Sequence, residues 1–272
     1  KRDEFVSHGN GYETVSSNNQ YLYLSENRCF YVGRIKGGVA ISNAASKLIV
    51  SLGAEIYSVS DNSEEQHRAM SFLVPAGSKV RIETGNELVA VLILDFLGED
   101  FALLKGKMSQ NYATEVGSIY YCGVENEQGV ILMAKRVMSE ALTAKQVFDL
   151  LELWVESFDS GLPIVILDHR IAKAVAFIKE NSHRASKIEE LAKHTCLSVP
   201  RLSQLFKEVT GISIRRMRIW CRIYHVAKYY GQGISLGDAV YRAGFSDYAH
   251  FSRSDKTHLA LPYLCQIYGS SS

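Results

Sequence analysis

The chain has 272 residues, of which 47 % are hydrophobic and 22 % are charged, a composition typical of a folded globular protein rather than a disordered one. It contains no run of about 18 apolar residues and no signal-like apolar segment at its start, so we expect neither a membrane span nor secretion. The five cysteines are scattered, which argues against a disulfide framework or a zinc site and favours the cytoplasm: Cys29, Cys122, Cys196, Cys221 and Cys265.

The net charge of +1 conceals an acidic half and a basic half. Residues 1–167 hold 14 Lys and Arg against 21 Asp and Glu, a net charge of −7, whereas residues 168–272 hold 16 against 8, a net charge of +8. A basic module joined to an acidic one is typical of proteins that bind a polyanion. The second half is therefore predicted to bind nucleic acid.

The first half reads as short strands separated by turn residues. Runs of β-branched and aromatic residues recur about every ten residues after Asn27, in "CFYVGRI", "SKLIVSLG", "AEIYSVS", "MSFLVPAGSKVRIETG" and "LVAVLILDF". This spacing predicts a small antiparallel sandwich or barrel. Because "LVAVLILDF" is apolar almost throughout, we expect it to be a central strand that is buried on both faces.

The pattern becomes helical between residues 129 and 158, where Thr143 is placed to cap the second part. An apolar stripe follows it at helical spacing. The stripe either packs on the β-domain or forms a dimer interface, and we assign dimerisation to five of its residues: Val147, Leu150, Leu151, Trp154 and Phe158.

A domain boundary is predicted at residues 159–163, where "DSGLP" combines a helix-ending glycine with a helix-breaking proline. Residues 1–163 then form one domain, β-rich over 1–105 and helical over 125–160, and residues 164–272 form an all-helical domain. The predicted fold class is α+β with two domains.

Residues 196–211, "CLSVPRLSQLFKEVTG", contain the signals of one helix that follows a tight turn. Ser198 is an N-cap, Pro200 lies in the first turn and Gly211 ends the helix. A short helix, a turn and a second helix with a polar outer face form a helix-turn-helix, whose second helix enters the major groove of DNA. The outer face carries Pro200, Arg201, Ser203, Gln204 and Lys207.

Residues 235–253 repeat this plan, and the turn residue Leu197 recurs as Phe245, 48 positions later. We predict base contacts from both helices because Arg and Gln match base edges, with phosphate contacts from Lys207 and Lys256. The base-contacting residues are Pro200, Arg201, Ser203, Gln204, Tyr248, Ala249, Ser252 and Arg253. A long helix between the units carries Arg215, Arg216, Arg218 and Arg222.

These segments resemble the DNA-binding domain of AraC/XylS-type transcription regulators. The resemblance is carried by "LAKHTCLSVPRLSQLFKEVTGIS", by Arg222 and Ala227 in the linking helix, and above all by "AGFSDYAHFSR". It implies about seven helices with two helix-turn-helix motifs that bind double-stranded DNA, a homodimer, and RNA polymerase as a partner if the protein is an activator.

Two departures from the family pattern concern the end of the second unit. Asp255 stands where the family has an apolar aromatic residue, and the segment after it is one residue short. A buried carboxylate without a partner costs several kcal/mol. We therefore expect a rearranged or loose structure after Ser254 and a weaker second reader.

The first half resembles, more weakly, the cupin-like sensor domains that precede this module in many family members. Residues 1–167 contain only His8 and His67, so we expect no metal, no cofactor and no cupin catalysis. Four aromatic residues either line an effector cavity or form core: Phe30, Tyr31, Tyr57 and Phe72. The sequence does not identify the effector. Two alternative functions stay open: a small-molecule enzyme on a cupin scaffold, and a protein-interaction module that has lost DNA binding.

Overall fold

The computed structural model describes the chain in segments: residues 4–7, 12–17, 20–35, 45–60, 66–94, 99–114, 117–158, 168–184 and 186–258. The predicted domain boundary at 159–163 and the shortened segment after the second motif lie outside these residues. None of the described helices is both long and apolar enough to cross a membrane.

The first half contains a nine-stranded antiparallel sheet in the order β1-β2-β3-β4-β10-β5-β8-β12-β11. Its strands are β1 (Glu4–Ser7), β2 (Tyr12–Ser17), β3 (Gln20–Ser25), β4 (Cys29–Arg34), β5 (Lys47–Ser51), β8 (Ser71–Val74), β10 (Leu88–Ile93), β11 (Met108–Ala113) and β12 (Ile119–Val124). In the centre, Ala90 of β10 lies opposite Val32 of β4 and Val50 of β5. Residues 89–94 are all buried, which confirms the predicted central strand.

A three-stranded sheet packs against one face of the large sheet. It consists of β7 (Arg68–Ala69), β6 (Ile56–Ser60) and β9 (Val80–Glu83). Ile56 and Ile82 from this sheet share an apolar core with Tyr31, Ile49 and Val91 from the large sheet. The predicted antiparallel β-domain is therefore confirmed as two sheets packed face to face.

Helices cover the other face of the large sheet. They are α1 (Glu99–Lys105), α2 (Glu127–Ser139) and α3 (Ala144–Glu156), and Thr143 caps α3 by accepting a hydrogen bond from the backbone N–H of Gln146. The apolar stripe predicted for dimerisation faces the sheet, which corrects that assignment. These side chains are buried in the core of their own chain, where burial of apolar surface is favourable, and so they are not available to a second copy. Val147, Leu151, Trp154 and Phe158 are buried, and Leu150 is partly buried.

The β-rich region is longer than the predicted 1–105, because β11 and β12 continue it to Val124. Most of the side chains in β11 are exposed, as expected of a strand at the edge of the sheet. In this strand Met108 and Tyr112 are only partly buried, so the sequence shows little apolar alternation. The segment 99–105, in contrast, is helical rather than extended.

In the part of the second half that the structure describes, every regular element is a helix, as predicted. Its described part comprises α4 (His169–Asn181), α5 (Ile188–His194), α6 (Val199–Thr210), α7 (Ile214–Gly231), α8 (Leu236–Arg242) and α9 (Tyr248–His258). These are six helices, against the seven or so implied by the resemblance, and residues 259–272 lie outside the described segments. α9 continues through Asp255, so the backbone remains helical at that position to His258.

Candidate nucleic-acid interface

The first helix-turn-helix consists of α5 and α6, joined by residues 195–198. The Ser198 hydroxyl accepts a hydrogen bond from the backbone N–H of Arg201 at 3.4 Å and so begins α6, with Pro200 in its first turn. α6 ends at Gly211, whose φ of 74° lies in the left-handed region that favours glycine. Leu202, Leu205 and Phe206 are buried beneath the helix, as the periodicity predicts.

The second helix-turn-helix consists of α8 and α9, joined by residues 243–247. The Asp247 carboxylate accepts a hydrogen bond from the backbone N–H of His250 at 2.6 Å, and this bond, together with one from the Ser246 hydroxyl, lowers the Asp247 pKa. The carboxylate is thus charged at the start of α9, where a helix favours negative charge. Phe251 on the inner face of α9 is fully buried.

The two turns have the same backbone geometry. Cys196 and Gly244 occupy equivalent positions with φ of 55° and 88°. In the residue that follows each of them, the N–H donates to the carbonyl five residues back: Leu197 to Ala192 at 3.0 Å, and Phe245 to Val240 at 3.2 Å. The repeat offset of 48 residues seen in the sequence is therefore a structural repeat.

The outer faces of α6 and α9 are exposed. In α6 the exposed predicted contact residues are Pro200, Arg201, Ser203, Gln204 and Lys207. In α9 they are Tyr248, Ala249 and Arg253, while Ser252 is half-buried. The side chain of Lys256 lies outside the described residues.

Gln204 already has a partner on its own helix. Its amide Nε2 donates to the carboxylate Oε1 of Glu208 at 2.8 Å. Glu208 is also exposed and adds a negative charge to the outer face, beside the predicted contact residues. The Nε2 group keeps a second N–H as a donor beside this bond.

The arginines of α7 divide into two groups. Arg215 is exposed and Arg216 is half-buried, whereas burial lowers the pKa of both Arg218 and Arg222. Arg222 Nε donates to the backbone carbonyl of Ser182 at 2.8 Å, at the end of α4. Arg222 therefore links α7 to the end of α4, and α7 presents only part of its positive charge to solvent.

Comparison with known proteins agrees with this geometry. Residues 191–262, which contain α6 to α9 and most of α5, match the family model of a helix-turn-helix domain. This is a DNA-binding domain of the AraC type. The chain is accordingly a DNA-binding transcription regulator. A search of curated proteins with the sequence of the regulator found no match.

Solved structures show that the regulator shares a fold with ToxT of Vibrio cholerae. A ligand-free point variant of ToxT from strain SCE256 is 14 % identical, with 89 % of this chain and 97 % of that one covered at a TM-score of 0.56. Wild-type ToxT from the same strain, bound to an unsaturated fatty acid, is 16 % identical, with 89 % and 96 % covered at a TM-score of 0.53. At these identities the likeness is one of fold.

The four aromatic residues of the first half for which cavity lining and core were both open do not meet in one place. Phe30 faces the helices, whereas Tyr31 and Phe72 belong to the core between the sheets. All three are fully buried, and Tyr57 lies under the guanidinium of Arg68, 5.6 Å from the ring centre. Phe30, Tyr31 and Phe72 are therefore core residues.

His67 has aromatic neighbours. Its Nδ1 lies 2.6 Å from the Tyr120 hydroxyl, and its ring stacks on Tyr112 with 3.5 Å between centres. No cluster of three or more His, Cys, Asp or Glu side chains suited to a metal ion occurs among the described residues.

Lys47 is a buried charge that the sequence does not reveal. This residue begins β5 and is completely buried in the first half, where burial lowers its pKa to about 8. A lysine at the start of an apolar strand gives no sign in the sequence that its ammonium group points inward. Residues 47 and 49 lie on the same face of β5, because side chains alternate along a strand. The side chain of Lys47 is therefore seen to point inward only once Ile49 is known to face the core between the sheets.

Proposed function

We propose that the regulator binds specific sites in double-stranded DNA by placing α6 and α9 in successive segments of the major groove. The observation that supports this proposal most strongly is the repeated turn geometry, since it puts an exposed polar helix after each turn. Equivalent helices joined by one continuous helix, α7, suit two major-groove segments about 34 Å apart on one side of the duplex.

Different side chains then have different tasks. Arg201 and Arg253 each make two hydrogen bonds to a guanine, and Gln204 makes two to an adenine, because these side chains match the donor and acceptor pattern of those bases. Lys207 contacts phosphate, which carries no sequence information but contributes to affinity at every site.

Selection of bound sequences from a random pool of duplexes tests sequence reading by both helices. Wild type is expected to select two short blocks with centres about 10 base pairs apart. Gln204→Ala is expected to relax selection in one block and Arg253→Ala in the other, each at a cost of about 1–3 kcal/mol. Loss of selection in the same block by both variants would contradict the proposal, as would the absence of any selected sequence.

The role of Lys207 is tested by the salt dependence of affinity. Removing one phosphate contact is expected to lower the slope of log K against log salt by about 1 and to weaken all sequences alike. Lys135→Ala on α2 is the matched control, because Lys135 is an exposed lysine in the other half of the chain. Equal effects of Lys207→Ala and Lys135→Ala would argue against a phosphate contact. A chain without affinity for any duplex would instead fit a protein-interaction module that has lost DNA binding.

The first half is proposed to sense a small effector, without enzymatic activity, in a regulator that acts in the cytoplasm. A structure of ToxT, which has the same fold, contains an unsaturated fatty acid, and this supports effector binding as a use of the fold. As an activator, the regulator would also contact RNA polymerase.

We also propose a homodimer, formed through the outer surface of α2 and α3. Leu132 and Leu153 are 59 % and 63 % exposed there, which leaves apolar area for a second copy to bury. Leu153→Lys is expected to shift the protein to monomer in sedimentation experiments. An unchanged dimer in this variant would place the interface elsewhere.

A further inference from the structure

A cavity of about 360 Å³ lies where the two halves of the regulator meet. One wall is Glu26, in the turn between β3 and β4, and the remaining walls come from α4 and α7. The lining residues from these two helices, together with His183 in the turn just after α4, are Lys179, Glu180, His183, Cys221, Tyr224, His225 and Tyr229. The cavity therefore joins the predicted sensor half to the DNA-binding half.

The charges at this cavity are unbalanced. Glu26 and Glu180 are exposed carboxylates, and neither has an ion pair with a residue in the described part of the chain. Lys179 is the one lysine or arginine among the described lining residues, and its Nζ donates to the side-chain oxygen of Asn27. Burial raises the pKa of Cys221 to about 12, so its thiol stays neutral.

His225 adds a buried acceptor. Burial, the largest influence on this ring, lowers its pKa, so the ring is neutral at pH 7. The ring forms a hydrogen bond with the backbone of Lys179, whereas Nδ1 is buried without a hydrogen-bond partner among the described residues. A neutral ring that donates at one nitrogen accepts at the other. Nδ1 is therefore an acceptor that lacks a donor.

Aromatic surface completes the cavity. The ring of Tyr229 stacks on His225 with 6.0 Å between centres, and Tyr224 lies beside it at 5.7 Å. Such faces bind flat apolar groups and attract cations. The lining thus offers aromatic surface and two carboxylates to one occupant.

We propose that this cavity is a binding site for a small organic cation, an amine whose N–H groups pair with Glu26 and Glu180 and whose apolar body lies on the tyrosine rings. An organic anion of the same shape is disfavoured, because two carboxylates, those of Glu26 and Glu180, outnumber the single ammonium of Lys179 in the lining. A ligand seated here contacts both halves of the chain. It therefore couples effector binding to DNA binding, a consequence that rests on the proposed function.

Two ligands of matched shape and opposite charge test the site. Calorimetric titration of the full chain at pH 7.5 compares 4-phenylbutylamine with 4-phenylbutanoate. The amine is expected to bind once per chain, at least tenfold more tightly than the carboxylate. Equal or tighter binding of the carboxylate, or no binding of the amine, would overturn the proposal.

Variants of the lining locate the site. Glu26→Gln is expected to weaken amine binding at least fivefold, and combination with Glu180→Gln to weaken it further. Glu55→Gln is the control, because Glu55 is an exposed carboxylate on another turn of the same half. An amine affinity unchanged in the double variant would place the amine elsewhere and reject the cavity.

Coupling is measured separately, as the affinity for a selected duplex with and without saturating amine. A change of threefold or more supports coupling, and no change rejects it. Because amine binding is titrated without DNA, failure of the site and failure of the proposed DNA-binding function are distinguishable.

Discussion

Lys47 carries the least expected charge in the molecule. Its side chain is completely buried, and burial lowers its pKa from 10.5 to about 8 despite a smaller, opposite effect from Cys29. A buried amine favours its neutral form because the ammonium loses its hydration in the protein interior. Between pH 8 and 10.5 the unfolded chain therefore holds a proton at this position that the folded chain has released.

The free energy of unfolding should accordingly depend on pH through Lys47. A lowered pKa in the folded state makes stability rise with pH, here by about 3 kcal/mol between pH 8 and 10.5. Lys47→Met removes the group, so the stability of wild type relative to this variant is expected to rise by that amount over the interval. Urea unfolding at several pH values measures the difference.

A lysine at the surface provides the comparison. Lys135→Met removes an exposed ammonium and is expected to leave the pH profile parallel to that of wild type. If Lys47→Met also gave a parallel profile, the ammonium of Lys47 would be as well stabilised in the folded chain as in water.

At the scale of single elements, the turn of the second helix-turn-helix is packed more tightly than its sequence reveals. A Cβ atom on Gly244 would lie 2.6 Å from the carbonyl oxygen of His183 and 3.3 Å from Nε of Arg222. Arg222 is in turn bonded to the Ser182 carbonyl. Three elements therefore meet at Gly244, where only glycine fits: the end of α4, the middle of α7 and the turn between α8 and α9.

Gly244→Ala is expected to destabilise the protein more than its backbone conformation alone explains. Gly233 is the matched control: its φ of 81° is close to the 88° of Gly244, but a Cβ atom there would meet nothing within 4 Å. Gly233→Ala should cost about 1 kcal/mol, the strain of a left-handed residue, and Gly244→Ala about 2 kcal/mol more. Similar losses for the two variants in urea unfolding would show that the backbone around position 244 yields freely.

The first turn allows the opposite change. Cys196 is exposed and has a φ of 55°, a conformation that glycine adopts without strain. Cys196→Gly is expected to raise the free energy of unfolding by about 0.5 kcal/mol, and Cys196→Val to lower it by about 1 kcal/mol, since β-branched residues are poorly tolerated there. A valine variant as stable as the glycine variant would mean that this turn changes conformation.

These turns also show what the sequence could predict. Caps, a proline in the first turn and a terminal glycine are local signals, so α6 could be placed from its own residues. The burial of Arg218 and Arg222 could not, because long side chains with apolar stems can lie along the surface or enter the core. For the same reason, an apolar stripe such as that of α3 predicts burial without naming the partner surface.

At the scale of the whole molecule, the two halves touch at points far apart in the chain. Lys179 of α4 donates to Asn27 in the first half, and α7 lies against β1 and β2. A Cβ atom on Gly211, at the end of α6, would lie 3.3 Å from the Cβ of Ala76. Periodicity and motif spacing describe one element at a time, so none of these contacts was accessible from the sequence.

The contact between Gly211 and Ala76 has a functional consequence. α6 is the predicted reader of the first groove segment, and its last turn rests on the loop between β8 and β9. A displacement in the first half can therefore shift α6 directly. This route is separate from the cavity beside α4 and α7.

A double-mutant cycle measures whether this contact persists in solution. Gly211→Ala adds a methyl group at a φ of 74°, so it is expected to cost about 1–2 kcal/mol, part from backbone strain and part from the crowded Cβ of Ala76. Ala76→Gly removes the crowding and leaves the strain. The cost of Gly211→Ala should therefore be smaller by about 0.5 kcal/mol or more in the Ala76→Gly background than in wild type.

Because the backbone strain at position 211 is the same in both backgrounds, it cancels, and the difference reports only the meeting of the two halves. Gly85→Ala is the control for Gly211→Ala. Gly85 has a φ of 58°, which is strained for alanine, but a Cβ atom there would meet nothing within 4 Å. Gly85→Ala and Ala76→Gly should be additive. If Gly211→Ala and Ala76→Gly were additive as well, the halves would be undocked at α6, and a signal could reach the DNA-binding domain only through α4 and α7.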